Sequence, residues 1–121
     1  MPLTSELRID LSDTSMGFDG IPWVDDVPGI RAHEVHVDGR RWAVVEYAPD
    51  AWRREWRTDG HLGFVLRGSI EYEFGDGGAP LTVVEGDAFT LSTGRPHRGT
   101  NCAAGPSRLF LIDDPDAAPS G

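Results

Sequence analysis

Within "EWRTDGHLGFVLRG", residues 55–68, a carboxylate, a guanidinium and an imidazole stand close together at Glu55, Arg57 and His61. A second imidazole, His97, follows in "STGRPHRGTN", residues 92–101. Side chains two apart in an extended chain share a face. Glu55 therefore lines up with Arg57, and His61 with Gly63, Val65 and Arg67, while Arg95, His97, Gly99 and Asn101 share a third face. A barrel interior that collected Glu55, Arg57, His61 and His97 could work in one of three ways. In the first, two neutral imidazoles and the carboxylate hold a divalent transition metal (Fe, Zn, Ni, Mn or Cu), with positions left for water or substrate. Arg57 stays protonated and has no lone pair, so it is no metal ligand. In the second, Arg57 grips an anion or replaces the metal's charge, pairing bidentately with Glu55 or with a ligand carboxylate. The third is a pair of histidines that are merely packed or hydrogen-bonded. Spacing alone does not decide whether the four residues converge.

Other reactive side chains carry less. His33 and His36 are three apart, so they point to opposite sides of a strand and cannot ligate together; both read as surface residues, with His36 also placed to border the pocket. Cys102 follows Asn101 and by alternation faces away from His97, as a small packed residue rather than a nucleophile. A serine–histidine–acid order, a phosphate-binding glycine loop and zinc-finger cysteine spacing are all missing from the sequence. Trp23, Trp42, Trp52 and Trp56 read as core and edge packing. Trp52 and Trp56 would also flank the mouth of the proposed site, placed to stack on a ring-shaped ligand.

The charge distribution bears on the same four residues. The chain of 121 residues carries a net charge of −9, with eleven arginines and no lysine. Residues 1–50 contribute −6 and residues 51–121 contribute −3. Five of the seven arginines in the second part (Arg53, Arg54, Arg57, Arg95 and Arg98) lie in the segment leading to His61 or within four residues of a site histidine. Such a grouping suits a receptor for a small anion, or else arginines spaced along exposed strands and paired with nearby acids. The excess of acid argues against nucleic acid or an anionic membrane as the main partner. No apolar run approaches the roughly 18–20 residues of a membrane-spanning helix. The start, "MPLTSELRID", lacks the basic-then-apolar pattern of a secretory leader, and a lone cysteine makes no internal disulfide; the expected location is the cytoplasm.

The elements that would position these groups are short strands. Fifteen glycines and nine prolines argue for many turns. "IRAHEVHV", "WAVVEY", "RREWR", "HLGFVLR", "SIEYEF", "LTVV", "AFTLS", "HRGTNC" and "SRLFLI" read as strands, divided by turn signals such as Asp38-Gly39 and the loop "GDGGAP". In "HLGFVLR" both faces are partly apolar, so both should be covered. No amphipathic helix is predicted. The pattern is all-β, a barrel or sandwich of about nine short strands. Residues 1–29 read as an arm and loop packing on the barrel, with Trp23 pinned on the body. Residues 30–112 read as the barrel and 113–121 as a disordered acidic tail.

A family resemblance follows from two motifs. From Gly86 the chain runs through "DAFTL", Ser92, Thr93, Gly94, "RP", His97, "RGT" and Asn101. It resembles the second motif of the small single-domain cupins: G, five residues, P-x-G, two residues, H, three residues, N, with Ser92 in place of the proline. Counting back from Gly68 by the spacing of the family's first motif puts His61 at its glutamate, Arg57 and Glu55 at its two histidines, and Pro49 at its first glycine. The resemblance covers roughly residues 30–112 and implies a cupin (jelly-roll) β-barrel. It also implies that positions 55, 57, 61 and 97 line one barrel mouth, although the family's three-histidine, one-glutamate set is altered. His97 carries over as a metal-ligand histidine, and His61 and Glu55 stand at ligand positions as competent replacements. Pairing into a homodimer is implied as well.

The expected function is binding of a small anionic molecule, with or without a divalent metal on His61, His97 and Glu55. As an enzyme the chain would carry metal-assisted oxygenase, isomerase or lyase chemistry through Glu55, Arg57, His61 and His97. The alternative is a metal-free, non-catalytic binding or sensing module in which Arg57 grips a ligand carboxylate. A structural or storage protein is the third class, and it leaves the clustered arginines without a role.

Overall fold

The computed structural model of the protein describes residues 13–37 and 39–114. The first twelve residues of the expected arm, and residues 115–121 of the expected tail, lie outside the described residues. Nine strands follow in chain order: β1 (Val24–Val27), β2 (Ile30–Val37), β3 (Arg40–Tyr47), β4 (His61–Arg67), β5 (Ser69–Phe74), β6 (Leu81–Val84), β7 (Ala88–Leu91), β8 (His97–Asn101) and β9 (Ser107–Asp113). They form a six-stranded sheet in the order β1-β2-β3-β9-β4-β7 and a three-stranded sheet in the order β6-β5-β8. All strand pairings among the described residues are antiparallel. The chain is thus an all-β jelly roll of two facing sheets whose ladders do not close into a continuous barrel. No helix among the described residues is long and apolar enough to cross a membrane.

Alternation builds the core. In β5, Ile70, Tyr72 and Phe74 are buried while Glu71 and Glu73 are exposed, as the two-residue period of "SIEYEF" predicts. Opposite them, β3 and β9 contribute Ala43, Val45, Tyr47, Leu109 and Leu111, and β4 contributes Val65. Between β4 and β5 the chain passes from the large sheet to the small one at Gly68, whose φ of 85° lies in the left-handed region open to glycine. A Cβ there would also run into Ser107.

Two strand assignments differ from expectation. β1 (VDDV) falls in the stretch read as loop, because pairing with β2 supplies what composition does not, and Val24 stays 66% exposed at the sheet edge. "RREWR" forms no strand; isolated bridges at Trp52–Thr100 and Arg57–His97 take its place. β9 runs one residue further than the expected barrel boundary and takes in Asp113. On β4 only the inward face is covered, since Leu62, Phe64 and Leu66 are 52%, 41% and 42% exposed. His33, expected at the surface, is buried and stacks on Trp23 with ring centroids 4.0 Å apart. Cys102 is exposed rather than packed.

Asn101 joins the pieces. Its Nδ2 donates to the carbonyls of Tyr47 (3.2 Å), Ala48 (2.9 Å) and Gly105 (3.0 Å). Its Oδ1 accepts from the Ser107 hydroxyl at 2.7 Å and the Ala103 amide at 2.9 Å. One buried side chain therefore ties β8 to the end of β3 and the start of β9. Replacing Asn101 by alanine would leave several buried groups unpaired, at a cost of about 3 kcal/mol or more. Urea denaturation should show that loss; a change within about 0.5 kcal/mol, the usual scatter for neutral surface sites, would refute the assignment.

Candidate functional site

The site depends on how the chain crosses between the sheets. After Tyr47 it leaves the large sheet and runs along the free edge of β8. The Asn101 amide donates to Ala51 O (2.9 Å), the Arg53 amide to Gly99 O (3.0 Å), and Arg57 and His97 exchange two bonds of 2.8 Å. From Ala51 to Arg53 the two chains advance in step. From Arg53 to Arg57 the crossing chain uses four residues where β8, from Gly99 to His97, uses two. Residues 54–56 are therefore looped out as a bulge. Directly opposed residues of an antiparallel pair project to the same side, so Arg57 stands beside His97. His61 opens β4 directly opposite Asp113 of β9.

These elements enclose a cavity of about 450 Å³ between the sheets. Its inner walls are Ala32, Val45, Leu109, Leu111 and Tyr72, and its polar rim includes Arg57, Asp59, His61, His97 and Asp113. The His61 and His97 rings meet edge to face with centroids 5.5 Å apart. His97 Nδ1 lies 3.2 Å from Arg95 O, an acceptor only, so Nδ1 donates and Nε2 carries the lone pair. His61 Nδ1 lies 3.3 Å from Asp113 Oδ1. Burial pushes the His97 pKa down, the Arg95 carbonyl bond and the Asp59 charge oppose that, and the neighbouring His61 and Arg57 push it down, with a net lowering. His97 is thus a neutral imidazole at pH 7, suited to accept a proton.

Every arginine on the cavity wall has an acid partner. Arg57 Nη2 donates to Asp59 at 2.8 Å, and its other N–H groups have no acceptor among the described residues. Arg41 pairs with Glu34 and, at 3.5 Å, with Asp113. Arg98 pairs with Glu73 and lies over the Trp56 ring at 4.0 Å. Arg53 donates to Asp26 and interacts with Tyr47. Burial raises the Tyr47 and Tyr72 pKa values, keeping both phenols protonated as donors.

The structure thus brings Arg57, His61 and His97 together and leaves Glu55 out. Glu55 sits on the bulge, exposed and off the cavity wall, because the looped residues break the two-residue period that would have aligned it with Arg57. Sequence reasoning missed Asp59, Asp113, Glu34, Arg41 and Tyr47 as site residues. Arg53 was counted only among the clustered arginines. For Asp113 the signal was available, since a strand ending "LFLID" extends naturally to its last residue.

This arrangement also tests the metal expectation. Two imidazoles offer two donors, but the expected third, Glu55, is outside the cavity. Asp59 is engaged by Arg57, and Asp113 by His61 and Arg41. Among the described residues no group of three or more His, Cys, Asp or Glu side chains is placed to hold a metal ion. The donor set does not fit a centre built from protein ligands alone.

Comparison with known proteins gives a consistent picture of the fold. The family model described as "Cupin domain" matches residues 43–113. Among solved structures, KdgF from Halomonas sp. is 21% identical with a TM-score of 0.65, over 84% of this chain and 94% of that one. The polyketide cyclase RemF from Streptomyces resistomycificus is 17% identical with a TM-score of 0.68, over 84% and 79%. A deletion mutant of Bacillus subtilis oxalate decarboxylase OxdC is 20% identical with a TM-score of 0.70, over 88% of this chain but only 31% of that enzyme. Likeness at these identities speaks for the fold alone. No curated protein matches the sequence.

His97 should titrate below the ordinary imidazole value of 6.5, in the direction set by burial and its charged neighbours. A folded-state pKa below the unfolded one means that protonation favours unfolding. The stabilisation is therefore present above 6.5 and lost as pH falls through that value towards the folded pKa. Proton NMR of the ring Cε1–H would follow the titration, with His97→Gln flattening the corresponding limb of a urea-stability profile. A midpoint at or above 6.5 would contradict the environment described.

Proposed function

The chain belongs to the cupin family, and we propose that it binds a small carboxylic acid in the inter-sheet cavity and moves a proton on it. Arg57 would grip the carboxylate and His97 would take up the proton. The observation that carries this reading is the Arg57–His97 bridge. It sets a partly exposed guanidinium with unused donors beside a neutral, buried imidazole at the edge of a cavity. A carboxylate can share the guanidinium with Asp59, because Arg presents five N–H donors. Proton transfer of this kind belongs to isomerase or lyase chemistry. The oxygenase expectation needs a redox metal, and the two histidines supply only two of its protein ligands. A metal-free binding module remains the second reading, favoured by the same arginine if proton transfer does not occur.

The experiment is calorimetry on chelator-treated protein against a panel of small hydroxy and keto acids, followed by NMR in D₂O for exchange of carbon-bound hydrogen. Binding that survives chelation and weakens about 10–100-fold in Arg57→Ala supports the arginine clamp. Exchange lost in His97→Gln supports catalysis, and binding without exchange selects the sensing module. Binding that requires added Fe, Zn, Ni, Mn or Cu would overturn the metal-free site. Nucleic acid and membranes have no part in the proposal. A cytoplasmic location suits the single, unpaired Cys102.

We further propose that the protein is a homodimer through the outer face of β4. Leu62, Phe64 and Leu66 form an exposed apolar stripe, bordered in register by Phe110 and Ile112 of β9. Burial against a second copy removes it from water. Sedimentation equilibrium should give a dimer that Phe64→Glu converts to a folded monomer. A monomeric wild type at tens of micromolar would end this reading, since obligate interfaces persist well below that range.

A further inference from the structure

His61 and Asp113 are registered partners on β4 and β9, so their side chains rise from the same face. His61 Nδ1 and Asp113 Oδ1 are 3.3 Å apart. Behind Asp113 stands Arg41, 3.5 Å away, which is held in turn by Glu34. The side chains of His61 and Asp113 are only 12% and 20% exposed. Resting on the carboxylate-binding reading, we propose that Asp113 is a positioning residue that turns Nδ1–H of His61 towards its carboxylate, so that the neutral ring presents its lone pair from Nε2 and the ligand must offer its own O–H or N–H to the two histidines.

The argument is a donor count. An ionised carboxylate only accepts, so the neutral imidazole facing it must donate from Nδ1 and keep its lone pair on Nε2. Burial pushes the Asp113 carboxyl up, but the hydrogen bond with His61 and the charge of Arg41 outweigh it and hold the group below the ordinary carboxylate value. Asp113 therefore remains an acceptor at neutral pH. His97 reaches the same tautomer independently, through the Arg95 carbonyl. Neither Nε2 has a hydrogen-bond partner among the described residues, and neither is among the buried unpartnered atoms, so both stay open to a guest. Two lone pairs on neighbouring rings of one cavity wall cannot satisfy each other. They call for a donor from the guest, and a hydroxyl on the bound acid supplies one. The substrate class narrows to small carboxylic acids that carry a hydroxyl or comparable donor.

The tautomer can be read without any ligand, by long-range ¹H–¹⁵N correlation spectra of the full chain at neutral pH. In the wild type, His61 Nε2 should resonate as the unprotonated nitrogen. Asp113→Asn can donate its amide to Nδ1 and should shift His61 towards the Nε2–H form, while Asp113→Glu should retain the wild-type pattern. A purely structural role for Asp113 would alter stability and leave the tautomer unmoved. An Nε2–H His61 in the wild type, or identical spectra in Asp113→Asn, would overturn the proposal. For the substrate class, the wild type should bind a hydroxy acid about tenfold more tightly than the same acid without its hydroxyl. Asp113→Asn should weaken that preference without abolishing it, because His97 keeps its own lone pair, while carboxylate binding through Arg57 persists. Equal affinity for the two acids in the wild type would refute the donor requirement, whereas failure of every acid to bind would refute the Arg57 clamp and leave the tautomer result standing.

Discussion

The edge pairing between residues 51–57 and β8 is the constraint on which the site depends. Two facing sheets alone would give a core but no reason for Arg57 to meet His97. The crossing chain supplies that reason, because its amides and carbonyls must find partners on leaving the large sheet, and the open edge of β8 offers them. Asn101 fixes where the pairing begins by holding the carbonyls of Tyr47 and Ala48 at the departure point. From that anchor the register runs in step to Arg53 and, after the bulge, reaches the Arg57–His97 bridge. The site is thus a product of backbone hydrogen bonding as much as of the side chains displayed.

A second consequence of that register is the division of labour around the cavity. The middle of β3 and β9 gives the cavity an apolar wall, through Val45, Leu109 and Leu111, while the ionic groups lie on β1 and β2, at the ends of β3, β4, β8 and β9, and on the crossing segment. A guest molecule would therefore meet a directed arrangement, with an apolar body on one side and hydrogen-bonding groups on the other. Such a pattern fixes orientation before it contributes much affinity.

Much of this was legible in the sequence because strands announce themselves by alternation. "SIEYEF" and the "GDAFTLSTGRPHRGTN" motif gave the right faces and placed His97 and Asn101 inward. The misplacement of Glu55 has a clear physical source. Period-two reasoning assumes an unbroken strand, and nothing in "WRREWR" reveals that two extra residues will be looped out. Glu55 was consequently placed inside when it lies outside. β1 escaped notice because "VDDV" has no β signature and owes its conformation to β2. Asp59 and Arg41 were missed for a different reason: their roles come from their place on the cavity wall, and pairing partners are not written in local sequence, whereas Asp113 could have been read from the extension of "LFLI" by one residue.

The pairing of all four cavity arginines with acids has a kinetic meaning. The cationic groups are locally neutralised, so the long-range field of the molecule is that of its −9 excess. An approaching anion is repelled at a distance and attracted only within reach of Arg57. At physiological ionic strength the repulsion fades within a Debye length of about 8 Å. Encounter with the proposed anionic guest should consequently quicken as salt is added, opposite to the behaviour of electrostatically steered enzymes, and any discrimination would rest on close fit after arrival rather than on gathering anions from solution.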